Sequence, residues 1–244
     1  MKRLVIATSL AVLASCGVQD RNGLPGGPAD LRVVDAAMAS GMPQTAITVT
    51  REILQGDPRN IGALLRQGDA LVAMGQSGAA EECFPRVIAI DPQSLDGLRG
   101  LGRVRLAMGQ AGGAETAFRK ALERAPDDAA LLSNLGVALD LQDRHDEAQA
   151  AYQAALARRP GMTAAQVNLG LSLALAGATD RALAILRPLA TDPAADGRVR
   201  QNLAVALALA GDAAGAGKVL AAELPQDKIE TALAGYAALK VSAK

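Results

Sequence analysis

Residues Ala129 to Pro160 read AALLSNLGVALDLQDRHDEAQAAYQAALARRP, and this stretch decides the fold. Leu131, Leu135, Val137, Ala138 and Leu139 recur at helical spacing. A polar turn, Gln142-Asp143-Arg144-His145-Asp146-Glu147, interrupts them before a second apolar run through Ala148, Tyr152 and Ala155. Pro160 then disfavours helix in the residue before it. The segment predicts two short helices folded back on each other.

The same text returns along the chain with a period of 34: Gly68, Gly102, Gly136 and Gly170 share it, as do Ala80, Ala114, Ala148, Ala182 and Ala216. Gly41, Gly75, Gly109, Gly177 and Gly211 keep one register in which only Asp143 interrupts. They supply the positive φ that ends a first helix. Pro58, Pro92, Pro126 and Pro160 close successive units, and Pro193 arrives one residue early. Six units follow: Pro28 to Asn60, Ile61 to Ser94, Leu95 to Asp128, Ala129 to Met162, Thr163 to Ala195, and Asp196 to about Pro225. The first is weakest, with Val34 where glycine is expected. Glycine in each first helix is expected to allow close approach to the second, with Ala80 or Ala114 as the matching contact.

The pattern Leu-Gly, Ala, a large apolar residue four later, then Pro resembles the tetratricopeptide repeat, and Leu135-Gly136, Ala148, Tyr152, Ala155 and Pro160 match it best. The resemblance implies an all-α, right-handed superhelix of about six hairpins, spanning 31–226, with a capping helix and tail at 227–244. Ile229, Leu233, Tyr236 and Leu239 predict that cap as an amphipathic helix over Asp227 to Val241. Two features depart from the family pattern. Pro85 and Pro188 fall inside second helices and are expected to kink them, and Leu64, Leu98 and Leu132 stand where the family carries tryptophan.

Composition narrows function before any site is named. Lys plus Arg is 25 and Asp plus Glu is 25, with one His, two Cys and no Trp in 244 residues. That argues against nucleic acid as a partner, a disulfide scaffold and most histidine- or cysteine-ligated metal sites. No cofactor is expected.

The amino terminus reads as an export signal over 1–15. Lys2 and Arg3 precede an apolar run, Leu4 to Ala14, far shorter than the ~20 residues of a membrane-crossing helix. Leu13-Ala14-Ser15-Cys16 resembles the lipobox of bacterial lipoproteins. The resemblance implies cleavage before Cys16, lipid on its sulfur and amine, and attachment to the membrane through that lipid. Gly17, where the Gram-negative sorting rule reads aspartate as inner-membrane retention, implies the periplasmic face of the outer membrane. Gly17 to Asp30, GVQDRNGLPGGPAD, reads as a flexible tether able to span on the order of 20 Å.

The search for chemistry finds decoys. Gly211 to Val219 superficially resembles a phosphate loop, but the glycine spacing is wrong, Val219 replaces the magnesium-binding hydroxyl, and no strand precedes it. His145 is expected to be an exposed turn residue rather than a general base. Cys83, the one thiol left once Cys16 is lipidated, is expected to be a small buried hydrophobe, with an intermolecular disulfide as the alternative.

What remains is a surface for other proteins. Asn134, Asn168 and Asn202 are 34 apart. They form a candidate amide ladder for an extended peptide, since each carries a donor and an acceptor. The alternative is that they bond the neighbouring hairpin's backbone. Arg99 and Arg103 are candidates for holding a carboxylate, or else solvated charges balanced by Asp69, Asp96 and Asp140. Val137, Leu141, Leu171, Leu175, Val205 and Leu209 are expected to line an apolar groove.

The C-terminal half carries a narrower likeness. Arg181 to Ala190 (RALAILRPLA), Arg198 to Ala208 (RVRQNLAVALA) and Glu223-Leu224-Pro225 before the closing helix are similar to the TadD family. These are the tetratricopeptide lipoproteins of tight-adherence (Flp) pilus assembly. The likeness covers roughly 129–240 and implies a non-enzymatic, pilotin-like role. The implied partner is the pilus secretin or another pilus assembly component, at the outer membrane. A general envelope scaffold for outer-membrane protein insertion or cell-wall enzymes is the alternative.

Overall fold

The computed structural model describes residues 29–242, with side chains over 31–239. The expected export signal, the lipidated Cys16 and the tether up to Pro28 lie outside the described residues. The chain divides into two compact units, Met1–Pro126 and Asp127–Lys244.

All regular structure among the described residues is helical. In the first unit α1 (Ala29–Ala39) pairs with α2 (Pro43–Gly56), α3 (Ile61–Ala73) with α4 (Ser77–Ile90), and α5 (Leu95–Ala107) with α6 (Ala111–Leu122). In the second, α7 (Ala129–Asp140) pairs with α8 (His145–Arg158), α9 (Thr163–Leu175) with α10 (Thr179–Ala190), and α11 (Gly197–Leu209) with α12 (Ala213–Leu220). The closing helix α13 (Gln226–Ser242) packs on α11 and α12. This is the all-helical repeat architecture that the 34-residue period implies.

Local chemistry sets each boundary. Asn60, Ser94 and Asp128 cap α3, α5 and α7 by accepting from backbone N–H groups two or three residues on, which satisfies donors that a helix start leaves orphaned. Asp196 does the same for α11. At the end of α3, Gly75 takes φ +72° while Gly75 N donates to Val72 O and Gln76 N to Leu71 O. Asp143 fills the equivalent place after α7 with φ +58°, in a left-handed conformation that aspartate tolerates better than most residues.

The first-helix glycines do admit a close approach, but the partner differs from expectation. A Cβ at Gly136 would sit 2.5 Å from the Tyr152 ring, and one at Gly170 would sit 2.6 Å from Leu186. The glycine therefore makes room for the large residue of the second helix rather than meeting an alanine. Tyr152, Phe118, Phe84 and Leu186 are almost fully buried as a result.

Val34, which stands where glycine is expected in the first repeat, is fully buried in the first unit's core. The helices α4 and α10 continue past Pro85 and Pro188. In α13, Ile229 is buried and Leu233, Tyr236 and Leu239 are half-buried. Alanines at 232, 234, 237 and 238 spread apolar surface around that axis, so the cap is less sharply amphipathic than expected.

Candidate functional site

Within each unit the first helices form one layer: α1 meets α3 and α3 meets α5 in the first, and α7 meets α9 and α9 meets α11 in the second. The second helices instead contact the first helix of the next hairpin, and no second helix packs comparably on the next second helix. First helices that touch while their partners splay apart form the inner layer of a curved stack. The candidate residues all lie on first helices.

In Asp127–Lys244 this layer is almost without charge. The helix α9, TAAQVNLGLSLAL, has no charged residue, and α7 has only Asp140. Arg198 and Arg200 on α11 are tied to Asp196 and Glu223. Asn134, Asn168 and Asn202 occupy matching places on α7, α9 and α11, each half-buried. Among the described residues none of the three makes a side-chain hydrogen bond, and none of their amide atoms is sealed from solvent. Leu141, Leu175 and Leu209 stand two helical turns further along the same helices. Leu141 is 45% exposed and the other two are half-buried. Val137, Leu171 and Val205 do not join this surface: each is buried in the unit's own packing.

The inner layer of Met1–Pro126 is charged and already paired. Arg66 reaches Asp35 on α1 through two hydrogen bonds, Nε to Oδ1 at 2.6 Å and Nη2 to Oδ2 at 2.8 Å. Arg103 pairs with Asp69 on α3 at 3.6 Å, and Arg99 with Asp96 one turn away at 3.3 Å. Burial raises the Asp69 carboxyl above the usual carboxylate range, opposed by Arg103. Of the three carboxylates expected to balance Arg99 and Arg103, Asp69 and Asp96 do so and Asp140 does not. Arg105 of α5 turns instead to the second helices, bonding Glu81 of α4 at 3.3 Å and the Gly113 carbonyl of α6 at 3.2 Å.

Asp140 sits instead at the centre of a polar cluster in the second unit. It accepts from His145 Nδ1 at 2.8 Å, Ser172 Oγ at 2.7 Å and Tyr152 Oη at 2.9 Å. His145 is thus not an exposed turn residue: it opens α8, and its side chain is 20% exposed. Ser172 is fully buried and donates to the carboxylate rather than to the imidazole, so serine and histidine are not arranged as nucleophile and base.

The remaining decoys resolve locally. Asp212 caps α12 by accepting from Gly215 N at 2.7 Å, which occupies the backbone N–H that a phosphate loop would present. Cys83 is buried in α4, and burial pushes its thiol up to about 11, so it stays protonated at neutral pH. No group of three or more metal-ligating side chains occurs among the described residues, and no described helix is long and apolar enough to cross a membrane.

Family models of the tetratricopeptide repeat match this sequence over residues 61–94, 93–161 and 142–196. No curated protein matches it. Among solved structures, the chain is similar to PilW, a widely conserved type IV pilus biogenesis factor. The TM-score is 0.73 at 20% identity, covering 84% of this chain and 96% of that one. It is also similar to a tetratricopeptide repeat protein from Parabacteroides merdae, with a TM-score of 0.68 at 15% identity, covering 87% and 83%. A crystal structure of MamA aligns with a TM-score of 0.57 at 25% identity, over 63% of this chain and 90% of that one.

Proposed function

This chain belongs to the tetratricopeptide-repeat family, and we propose that it is a lipid-anchored scaffold whose α7–α9–α11 layer holds a segment of another envelope protein. In this reading it acts as a pilotin-like factor in tight-adherence (Flp) pilus assembly. It stands on the periplasmic face of the outer membrane and helps the pilus secretin reach or form its ring. The observation that carries the reading is the row of open amides at Asn134, Asn168 and Asn202 beside the row of leucines at 141, 175 and 209.

Amides offer donors and acceptors that pair with a peptide backbone whatever its side chains, while leucines take up its apolar groups. A layer with almost no charge favours an uncharged apolar segment, since an ion placed there would lose water without gaining a partner. The pilus setting draws on the TadD-like segments between Arg181 and Pro225. The fold shared with a type IV pilus biogenesis factor is consistent with it. The membrane setting draws on Leu13-Ala14-Ser15-Cys16.

Two experiments test this reading. A Cys16→Ala variant is expected to leave the membrane fraction, and its retention there at wild-type level contradicts lipid anchoring. A deletion strain is expected to lose secretin multimers and surface pili; normal rings and piliation contradict the pilus role. Capture of outer-membrane insertion machinery or cell-wall hydrolases in place of secretin, from membranes holding the lipidated protein, favours the general envelope scaffold instead.

A further inference from the structure

Five methionines lie among the described residues, and the fold sorts them into two kinds. Met38 is half-buried against the first unit's core, and Met162 is half-buried against Ala129, Ala155 and Ala165. Met42, Met74 and Met108 are exposed, by 50%, 38% and 38%. With Val33 they make up the large apolar side chains exposed among the described residues of Met1–Pro126.

The hairpin bends account for this placement. Met74 and Met108 are the C-cap residues of α3 and α5, and each is followed by a glycine at φ +72°. Met42 follows Gly41, at φ +67°, and directly precedes α2. A left-handed glycine reverses the chain at the end of a first helix, so its neighbour stands past the last turn that adjacent helices cover. The bends are open: a Cβ added at Gly41, Gly75 or Gly109 would meet nothing within 4 Å. In the second unit the positions in register with Met74 and Met108 hold Gln142, Ala176 and Ala210. Cys83, the one thiol among the described residues, is buried in α4 and therefore inert.

We propose that Met42, Met74 and Met108 form a reversible oxidation site along the bends of the first unit, at which a peroxide turns an apolar edge polar and leaves the fold intact. With hydrogen peroxide, the Sδ lone pair attacks one oxygen and the O–O bond breaks. The proton on the attacked oxygen passes to the departing hydroxide, and water leaves. Sulfur is oxidised by two electrons and the peroxide is reduced by two. The sulfoxide is polar, and it disrupts a protein where it replaces a packed thioether. At the bends it faces water instead. The site is independent of the docking reading, because none of the three methionines lies in the α7–α9–α11 layer.

A time course of the full chain in hydrogen peroxide, followed by peptide mass mapping, tests it. Met42, Met74 and Met108 are each expected to gain one oxygen several times faster than Met38 and Met162. The thermal midpoint is expected to hold while they do, and the chain is expected to elute earlier from a hydrophobic-interaction column. The two methionine sulfoxide reductases, one for each sulfoxide epimer, are expected to restore the original elution. A Met42→Leu, Met74→Leu, Met108→Leu variant keeps the apolar edge without its thioethers and is expected to lose most of the peroxide-induced shift. The wild-type time course decides alone if that variant does not fold. Met38 or Met162 reacting as fast as the bend methionines overturns the proposal. So does a midpoint that falls in step with their oxidation, sulfoxides that resist both reductases, or an undiminished shift in the folded variant.

Discussion

The inner layers of the two units are built on one repeat frame and use it in opposite ways. In Met1–Pro126 the polar positions are filled by arginines and aspartates that pair with each other, Arg66 with Asp35, Arg103 with Asp69, and Arg99 with Asp96. In Asp127–Lys244 the corresponding layer carries three asparagines without side-chain partners among the described residues and three part-exposed leucines. A face whose hydrogen bonds are already made gives little to a newcomer, because each new bond must replace an old one. A face with open amides and apolar groups gains from being covered. On the proposed reading, docking falls on the second unit, and Arg99 and Arg103 act as internal struts rather than ligands.

The comparison is sharpest where the units are expected to agree. Phe118→Ala in the first and Tyr152→Ala in the second each remove a fully buried ring that fills the space beside a glycine. Both are expected to cost about 3–5 kcal/mol in denaturant unfolding. A well-tolerated change in one unit alone would show that the frames differ, not only their faces.

Replacing Asn134, Asn168 and Asn202 together by alanine is expected to weaken partner capture by about a hundredfold, taking about 1 kcal/mol for each lost hydrogen bond. Since these amides hold nothing among the described residues, the unfolding midpoint should stay close to wild type. A large loss of stability with binding intact would mean that the amides are structural. The matching change in the first unit, Arg99→Ala with Arg103→Ala, is expected to leave capture unchanged and to cost about 0–1 kcal/mol, as half-exposed ion pairs do. Loss of capture there would extend the docking surface to the first unit. The smallest effect is expected at Asp143, where glycine relieves a left-handed backbone. Asp143→Gly should shift stability by less than about 1 kcal/mol, in the stabilising direction, as measured by the thermal midpoint.

The hairpins were legible because a period of 34 in small residues and prolines leaves few other ways to fold. The caps Asn60, Ser94 and Asp128 keep the same register, so the sequence carries this signal too. The partner of each first-helix glycine was not legible, since both an alanine and a large residue recur at fixed distances from it. Only the geometry puts the Tyr152 ring against Gly136. Nor was the separation of Val137, Leu171 and Val205 from Leu141, Leu175 and Leu209. All six share helical spacing, but neighbouring helices cover the first three and leave the others partly open. The Asp140 cluster draws its donors from residues 5, 12 and 32 positions away. No local pattern joins positions so unevenly spaced.

Site-specific photocrosslinking in the native envelope tests the central claim most directly. A photoreactive side chain placed at Asn168 or Leu175 is expected to capture a single envelope protein, and one placed at Arg103 is expected to capture none. Crosslinks from Arg103 with none from Asn168 or Leu175 would contradict the assignment of docking to the second unit.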